Sequence, residues 1–299
     1  MKYCKRQFTD LSEMRAFVDV CESEFNTEFD ELVKGKLLTE KVKFIILSGP
    51  TCSGKTTVAK KIRAELEKNG KRVFDVSIDD FFYDVKVDRT IDQEVDFESI
   101  NAVDLDLLSA FVSDVSANRK AKMPVFDFLE RRRVSFKEIS PGEDDIFIFE
   151  GIQAMYPEIT ALLRHRVCIS IYISAGEGIT VGDRVFEPNE IRLMRRIVRD
   201  NFYRDSDAEY TFFLWKEVRK NEEKNIFPNV KNCDIILSST MGYEINMLSS
   251  HLRALLESVP RESVYRKEAE VIIEKLCGIE EIPQILLPEN SMYFEFLKR

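Results

Sequence analysis

Residues 48–57 read SGPTCSGKTT and follow the apolar run KFIIL. Gly49 and Gly54 bracket four residues, with Lys55 and Thr56 directly after, which fits G-x-x-x-x-G-K-[ST]. Glycines let a backbone curl where a Cβ would intrude, so the loop's N–H groups can wrap around phosphate oxygens. The helix that follows adds its positive N-terminal end. The candidate phosphate-cradling positions are Gly49, Pro50, Thr51, Cys52, Ser53, Gly54, Lys55, Thr56 and Thr57. Lys55 is placed to reach the β- and γ-phosphates, and the Thr56 hydroxyl to ligate Mg²⁺. Such a loop indicates a nucleotide without saying what is done with it. The guanine-reading pattern [NT]-K-x-D and an LSGGQ-like transporter signature are both absent, which weighs against a GTPase switch and an ABC transporter.

Phosphoryl transfer also needs acids. Asp79 and Asp80 end the run KRVFDVSIDD, some two dozen residues beyond the loop. A carboxylate at the end of a strand can orient a hydroxyl for in-line attack; the competing reading is a turn former. On a pleated strand, neighbours point to opposite sides, so only one of the two should face the phosphates. Glu150 ends IFIFE and matches a metal-supporting acid, whereas Asp144 and Asp145 lie at the other end of that run. Arg192, Arg195, Arg196 and Arg199 recur at helical spacing and Arg204 follows. This stripe suits a transferring phosphoryl group; taken alone, it also fits a solvated face paired with Glu190, Asp200 and Asp205. Arg131, Arg132 and Arg133 follow MPVFDFLE, an aromatic and acidic mixture suited to a small polar ring substrate, and a solvated loop fits them equally.

The elements that must hold these residues alternate. KFIIL, KRVFDVSIDD, DDIFIFEG, RVCISIYIS and CDIILS read as strands, the first buried on both faces. TTVAKKIRAELEKNG, NAVDLDLLSAFVSDV and IRLMRRIVRDNFY read as helices. That alternation predicts an α/β fold, a three-layer sandwich around a mostly parallel sheet. We divide the chain into a helical N-terminal extension over residues 1–40, a core over 41–240 and a helical C-terminal extension over 241–299. Neither extension carries a motif.

Composition bounds the rest. In 299 residues, 53 acids exceed 44 lysines and arginines, a net charge of -9, which argues against nucleic acid or an anionic membrane as partner. The six cysteines form no C-x-x-C pair and there are two histidines, so the usual zinc patterns are excluded. The N-terminus has no apolar leader and no apolar run approaches about 18 residues, so the expected location is a reducing cytoplasm. A homo-oligomer is compatible with the sequence.

Together the motifs resemble the uridine kinase family, within the phosphoribulokinase-like P-loop kinases, over roughly residues 43–237. The family's loop matches GPTCSGKTT, and its S-x-D-x-F-Y motif matches Ser-Ile-Asp-Asp-Phe-Phe with Tyr83 one position late, which implies Asp79 as the catalytic aspartate. Its D-x-P-x-A-x-D segment, whose first acid holds ribose hydroxyls, matches ESINAVD with Glu98 for the acid and Ile100 for the proline. Its P-V-Y-D-F matches PVFDF, so Phe126 replaces a tyrosine, and Arg131 takes the place of a base-reading histidine. Its E-G-I matches Glu150, Gly151 and Ile152. Its lid motif matches Arg195, Arg196, Arg199 and Asp200, with Arg204 as the later arginine and Asp205 in place of a glycine. The phosphoryl-transfer positions keep the pattern; the base-reading positions depart from it.

The resemblance implies an ATP- and Mg²⁺-dependent kinase acting on a hydroxyl of a nucleoside or similar small molecule. Lys55, Asp79, Arg196, Arg199 and Arg204 would carry the transfer, Thr56 and Glu150 the metal, and Glu98, Phe126, Arg131 and Arg196 the acceptor. The alternatives are a sibling kinase for a sugar phosphate or a pantothenate-like acceptor, and a non-catalytic nucleotide-binding regulator.

Overall fold

A computed structural model describes residues 1–85, 96–164 and 167–298. In chain order the elements are β1 (Lys2–Tyr3), α1 (Leu11–Leu32), β2 (Phe44–Ser48), α2 (Lys55–Lys68), β3 (Val73–Ser77), α3 (Leu105–Ser116), β4 (Ala121–Asp127), β5 (Arg132–Ile139), β6 (Ile146–Glu150), α4 (Pro157–Leu163), β7 (Cys168–Ser174), β8 (Ile179–Val181), β9 (Arg184–Phe186), α5 (Pro188–Arg204), α6 (Ala208–Asn221), α7 (Phe227–Val230), β10 (Ile235–Ser238), α8 (Glu244–Glu257) and α9 (Arg266–Leu276). Five strands form one parallel sheet in the order β10-β7-β2-β6-β3. The short apolar runs become its buried strands because helices cover both faces.

Alternation along the strands sorts the core into two layers. Ile45, Leu47, Ile146, Ile148, Ile171 and Ile173 face a cluster that takes in α2, α5, α8 and α9. Phe44, Ile46, Phe147 and Phe149 face the other way, onto α3, α4 and the β4–β5 hairpin. Both ends of the chain join the first layer: Val18, Phe25 and Phe29 of α1 and Met292, Tyr293, Phe296 and Leu297 near the C-terminus are buried there. No helix among the described residues is long and apolar enough to cross a membrane.

Two local differences from the sequence reading bear on the site. The second strand stops at Ser77, and Ile78–Phe81 form a 3₁₀ turn, so Asp79 and Asp80 are not strand residues. Their side chains diverge through the turn and not through pleating. The segment around Phe126, read as substrate-facing chain, is one arm of the antiparallel β4–β5 hairpin.

Candidate active site

β2 ends at Ser48 and the chain enters the glycine loop at once, between β6 and β7. An ideal Cβ on Gly49 would stand 2.0 Å from the Ile173 carbonyl oxygen of β7, so only glycine fits. Gly54, at the N-cap of α2, has φ +92°, a left-handed conformation that glycine adopts at little cost. The Lys55 ammonium donates to the Pro50 carbonyl across the loop at 3.1 Å. From outside, α5 holds the loop. Arg192 donates to the Thr51 carbonyl at 3.2 Å, Arg195 to the Cys52 carbonyl at 3.1 Å, and Arg199 to the Thr51 hydroxyl at 3.4 Å. Those contacts draw the loop's carbonyls toward α5.

Glu150 is the last residue of β6 and pairs in register with Leu47 of β2 and Ser77 of β3. It therefore lies at the carboxyl ends of three strands, beside the start of the loop, where open α/β sheets bind ligands. Asp79 comes in from the neighbouring turn. A Cβ on Gly151 would lie 2.9 Å from Ile78 Cβ and 3.8 Å from Asp79 Oδ1, so the glycine after Glu150 lets the turn approach this closely. Burial first, and then the Glu150 charge, push the Asp79 carboxyl up to about 7, while Lys55 pulls it down. Burial also raises Glu150, against the pull of Lys55. The Glu150 charge opposes ionisation of Asp79, a repulsion that a hard dication would relieve, and the hydroxyl that follows Lys55 is that of Thr56, on the first turn of α2. Among the described residues no three His, Cys, Asp or Glu side chains group to cage a metal unaided. That composition fits Mg²⁺, which is usually held by one or two protein oxygens together with phosphates and water. Asp80 does different work: its carboxylate accepts the Phe126 backbone N–H at 2.9 Å and ties the turn to β4.

The arginine stripe is not a solvated face. Arg192 and Arg195 are buried in ion pairs with Glu222 and Glu244. The other three converge on Asp200, itself buried: Arg196 at 3.1 Å, Arg199 at 2.6 Å and Arg204 at 3.6 Å. One carboxylate thus gathers three guanidiniums that would otherwise repel each other. Asp205, where the resembling family has glycine, caps α5 with φ 51°. Because Arg199 touches both the loop and this cluster, we expect Arg199→Ala to lower kcat at saturating substrates by about 10²-fold with a smaller change in ATP affinity, measured by steady-state kinetics beside calorimetry. Unchanged turnover would return the stripe to a packing role.

A cleft of about 1100 Å³ opens between the turn carrying Glu98 and helix α6; Glu98, Arg131, Tyr156, Arg196 and Asn221 are among its lining. The Glu98 carboxylate accepts from Asn221 Nδ2 at 2.6 Å, and its carbonyl accepts from the Tyr156 hydroxyl at 3.0 Å. Burial raises the Glu98 carboxyl, and the Asn221 bond and Arg196 charge oppose that. Of the arginine triplet, Arg131 lines the cleft, Arg133 is tied to Asp104 at 3.0 Å, and Arg132 pairs with Glu130 at the surface. Phe126 stands apart from the cleft lining. It is buried in an aromatic cluster with Phe82, Phe97 and Phe128, at ring-centroid distances of 5.8, 6.2 and 5.2 Å. Asn221 and Tyr156, both contacts of Glu98, carry no motif that marks them in the sequence. They are 123 and 58 residues from it along the chain.

A parallel sheet of this order, with a glycine loop after its central strand and an acid, Glu150, at the end of the neighbouring β6, defines a P-loop kinase fold. The chain belongs to the Phosphoribulokinase / Uridine kinase family, whose sequence model matches residues 44–245. It is 27% identical over 217 residues to uridine kinase of Saccharomyces cerevisiae, covering 71% of this chain and 40% of that one. Uridine-cytidine kinase B of Dictyostelium discoideum is 26% identical over 236 residues, covering 77% and 89%. Some of these relatives are much longer: the chain spans 40% of the yeast protein and 26% of uridine-cytidine kinase C of D. discoideum. Among solved structures, a possible uridine kinase from Bacillus stearothermophilus aligns with a TM-score of 0.47 at 18% identity, over 72% of this chain and all of that one.

Proposed function

We propose that this protein is an ATP- and Mg²⁺-dependent kinase that transfers the γ-phosphoryl group to a hydroxyl of a nucleoside or a similar small molecule. The observation that carries this reading is the grouping of Asp79 on the turn after β3, Glu150 at the end of β6 and Lys55 at the start of α2, with the charges of Glu150 and Lys55 acting on Asp79 and that of Lys55 on Glu150. Lys55 and the loop bind the phosphates, Thr56 and Glu150 serve Mg²⁺, and Asp79 orients the acceptor hydroxyl and takes its proton. When bound, Mg²⁺ would neutralise charge on the phosphates. Arg196, Arg199 and Arg204 supply positive charge to the transferring group from the Asp200 cluster. The acceptor occupies the cleft, with Glu98 toward its hydroxyls and Arg131 toward its far end. Six free thiols suit a reducing cytoplasm.

Arg131 is always cationic and can only donate hydrogen bonds, and Phe126, lacking a phenol, stands outside the cleft lining. We therefore expect uridine and cytidine not to be the best acceptors. A second reading, a sugar phosphate or pantothenate-like acceptor, draws on the bases around the cleft, where Lys220 and Lys224 join Arg131 and Arg196. Purified protein assayed for ADP release with nucleosides, sugar phosphates and vitamins tests all of this. Release that depends on one acceptor class identifies it. A clear preference for uridine would remove the argument from Arg131, and no acceptor-dependent release at all would favour a nucleotide-binding regulator.

A further inference from the structure

The end of the chain returns to the phosphate loop. Met292, Tyr293, Phe296 and Leu297 are fully buried. Arg195 lies over the rings of Tyr293 and Phe296 at 5.6 and 5.0 Å, and the Tyr203 hydroxyl of α5 donates to the Leu297 carbonyl at 3.1 Å. This anchoring brings two side chains onto the first turn of α2. Met292 packs against Gly54, where a Cβ would stand 2.3 Å from its Sδ. Glu295 presents its carboxylate to Thr57: Oε2 accepts the Thr57 backbone N–H at 3.2 Å and the Thr57 hydroxyl at 2.9 Å. A free amide and hydroxyl on the first turn of a helix, directly after G-K-T, are donors that a nucleotide phosphate uses. The Glu295 charge also reaches Glu150 and Arg199, so it acts on the same site.

We propose that Glu295 is a resident anion of the donor site, a tethered competitor that a nucleotide phosphate must displace from Thr57 in order to seat. This rests on reading residues 49–57 as the phosphate site. Two anions cannot share one pair of donors, and their like charges raise the cost of crowding together. The buried segment keeps the carboxylate beside the Thr57 donors, so an incoming phosphate always binds against it. Four apolar side chains hold the segment in place, so the Glu295 side chain alone has to swing aside. The arrangement weakens donor binding and hastens release of spent nucleotide.

The test is Glu295→Ala in the full chain, with MgATP and MgADP affinity measured by calorimetry and thermal unfolding followed in parallel. The expected result is affinity tighter on the order of tenfold, since the displaced charge-assisted hydrogen bonds no longer oppose binding. Glu295→Gln keeps an acceptor without the charge and should tighten binding less. It also serves in place of the alanine variant should that one fail to fold. Unchanged or weaker MgATP binding in a folded Glu295 variant overturns the proposal. Lys55→Ala separates the competitor from the phosphate site itself. If it loses MgATP binding while the Glu295 variants do not gain, only the competitor is refuted. If it binds MgATP as wild type does, the phosphate-loop reading fails and the competitor with it.

Discussion

Asp79→Asn should lose acceptor phosphorylation by about 10²–10⁴ in kcat, the usual share of a general base, while binding MgATP and folding normally. The asparagine keeps the shape beside Gly151 and removes the proton acceptor. Asp80→Asn should cost far less activity, because that side chain holds the Phe126 amide at 2.9 Å and an amide oxygen can accept the same bond. An active Asp79→Asn beside a dead Asp80→Asn would reverse the assignment. The pH profile gives a second readout. With its carboxyl raised to about 7, Asp79 is protonated below that pH and cannot take the hydroxyl's proton. In the free protein kcat/KM should therefore fall about tenfold per pH unit below about 7. Stability moves the opposite way. The folded state holds this proton more tightly than the unfolded chain, so stability declines as pH rises from the ordinary aspartate range through about 7. Asp79→Asn escapes that decline. Its Tm should exceed that of wild type above pH 7, with the gap closing as pH falls toward 4. A gap that does not change with pH would mean that Asp79 is not the shifted group.

Arg195→Ala should destabilise the protein by roughly 3–5 kcal/mol, the cost of stranding a buried charge. Arg195 and Glu244 are both fully buried and pair directly. Arg195 also donates to the Ser239 hydroxyl at 2.9 Å, the Ser239 carbonyl at 2.8 Å and the Cys52 carbonyl of the loop. Removing the guanidinium leaves Glu244 uncompensated and frees the loop on one side. Replacing both partners, Arg195→Met with Glu244→Leu, should recover much of the loss, since the desolvation of two charges is then also removed. Urea unfolding of wild type and the two variants measures this. A loss below about 1 kcal/mol for Arg195→Ala would show that Glu244 finds another partner or water. The double variant should remain slow as an enzyme even when stable, because its loop lacks the Cys52 contact.

Much of the site is local in sequence, and that part was legible there. The spacing of Gly49, Gly54, Lys55 and Thr56 depends on one loop and one helix start, so the pattern carries its own geometry. Glu150 was recognisable as the last residue of an apolar run, since strand ends in such folds carry the ligands. The strand and helix order followed from periodicity and turn residues for the same reason. The direction of Asp79 and Asp80 was not legible from alternation, because the strand ends three residues earlier than the run KRVFDVSIDD suggests. The arginine stripe shows why charge patterns alone are ambiguous. Spacing put Arg192, Arg195, Arg196 and Arg199 on one helix, but whether they meet solvent, phosphate or buried acids depended on Glu222 and Glu244, 30 and 49 residues away from their partners.

The sequence by itself determined the glycine loop, the acid at the end of β6 and the parallel α/β order, because each is written in contacts a few residues long. Only the tertiary structure decided which arginines remain near the site and which are spent on buried pairs, that Phe126 packs in an aromatic cluster, and that Asn221 orients Glu98. It alone decided that Glu295 meets Thr57 across 238 residues of chain. Such meetings arise when two apolar surfaces, here the C-terminal turn and the α1, α2 and α5 layer, bury each other. Hydrophobic burial is non-directional, so no residue spacing along the chain records which polar groups it brings face to face.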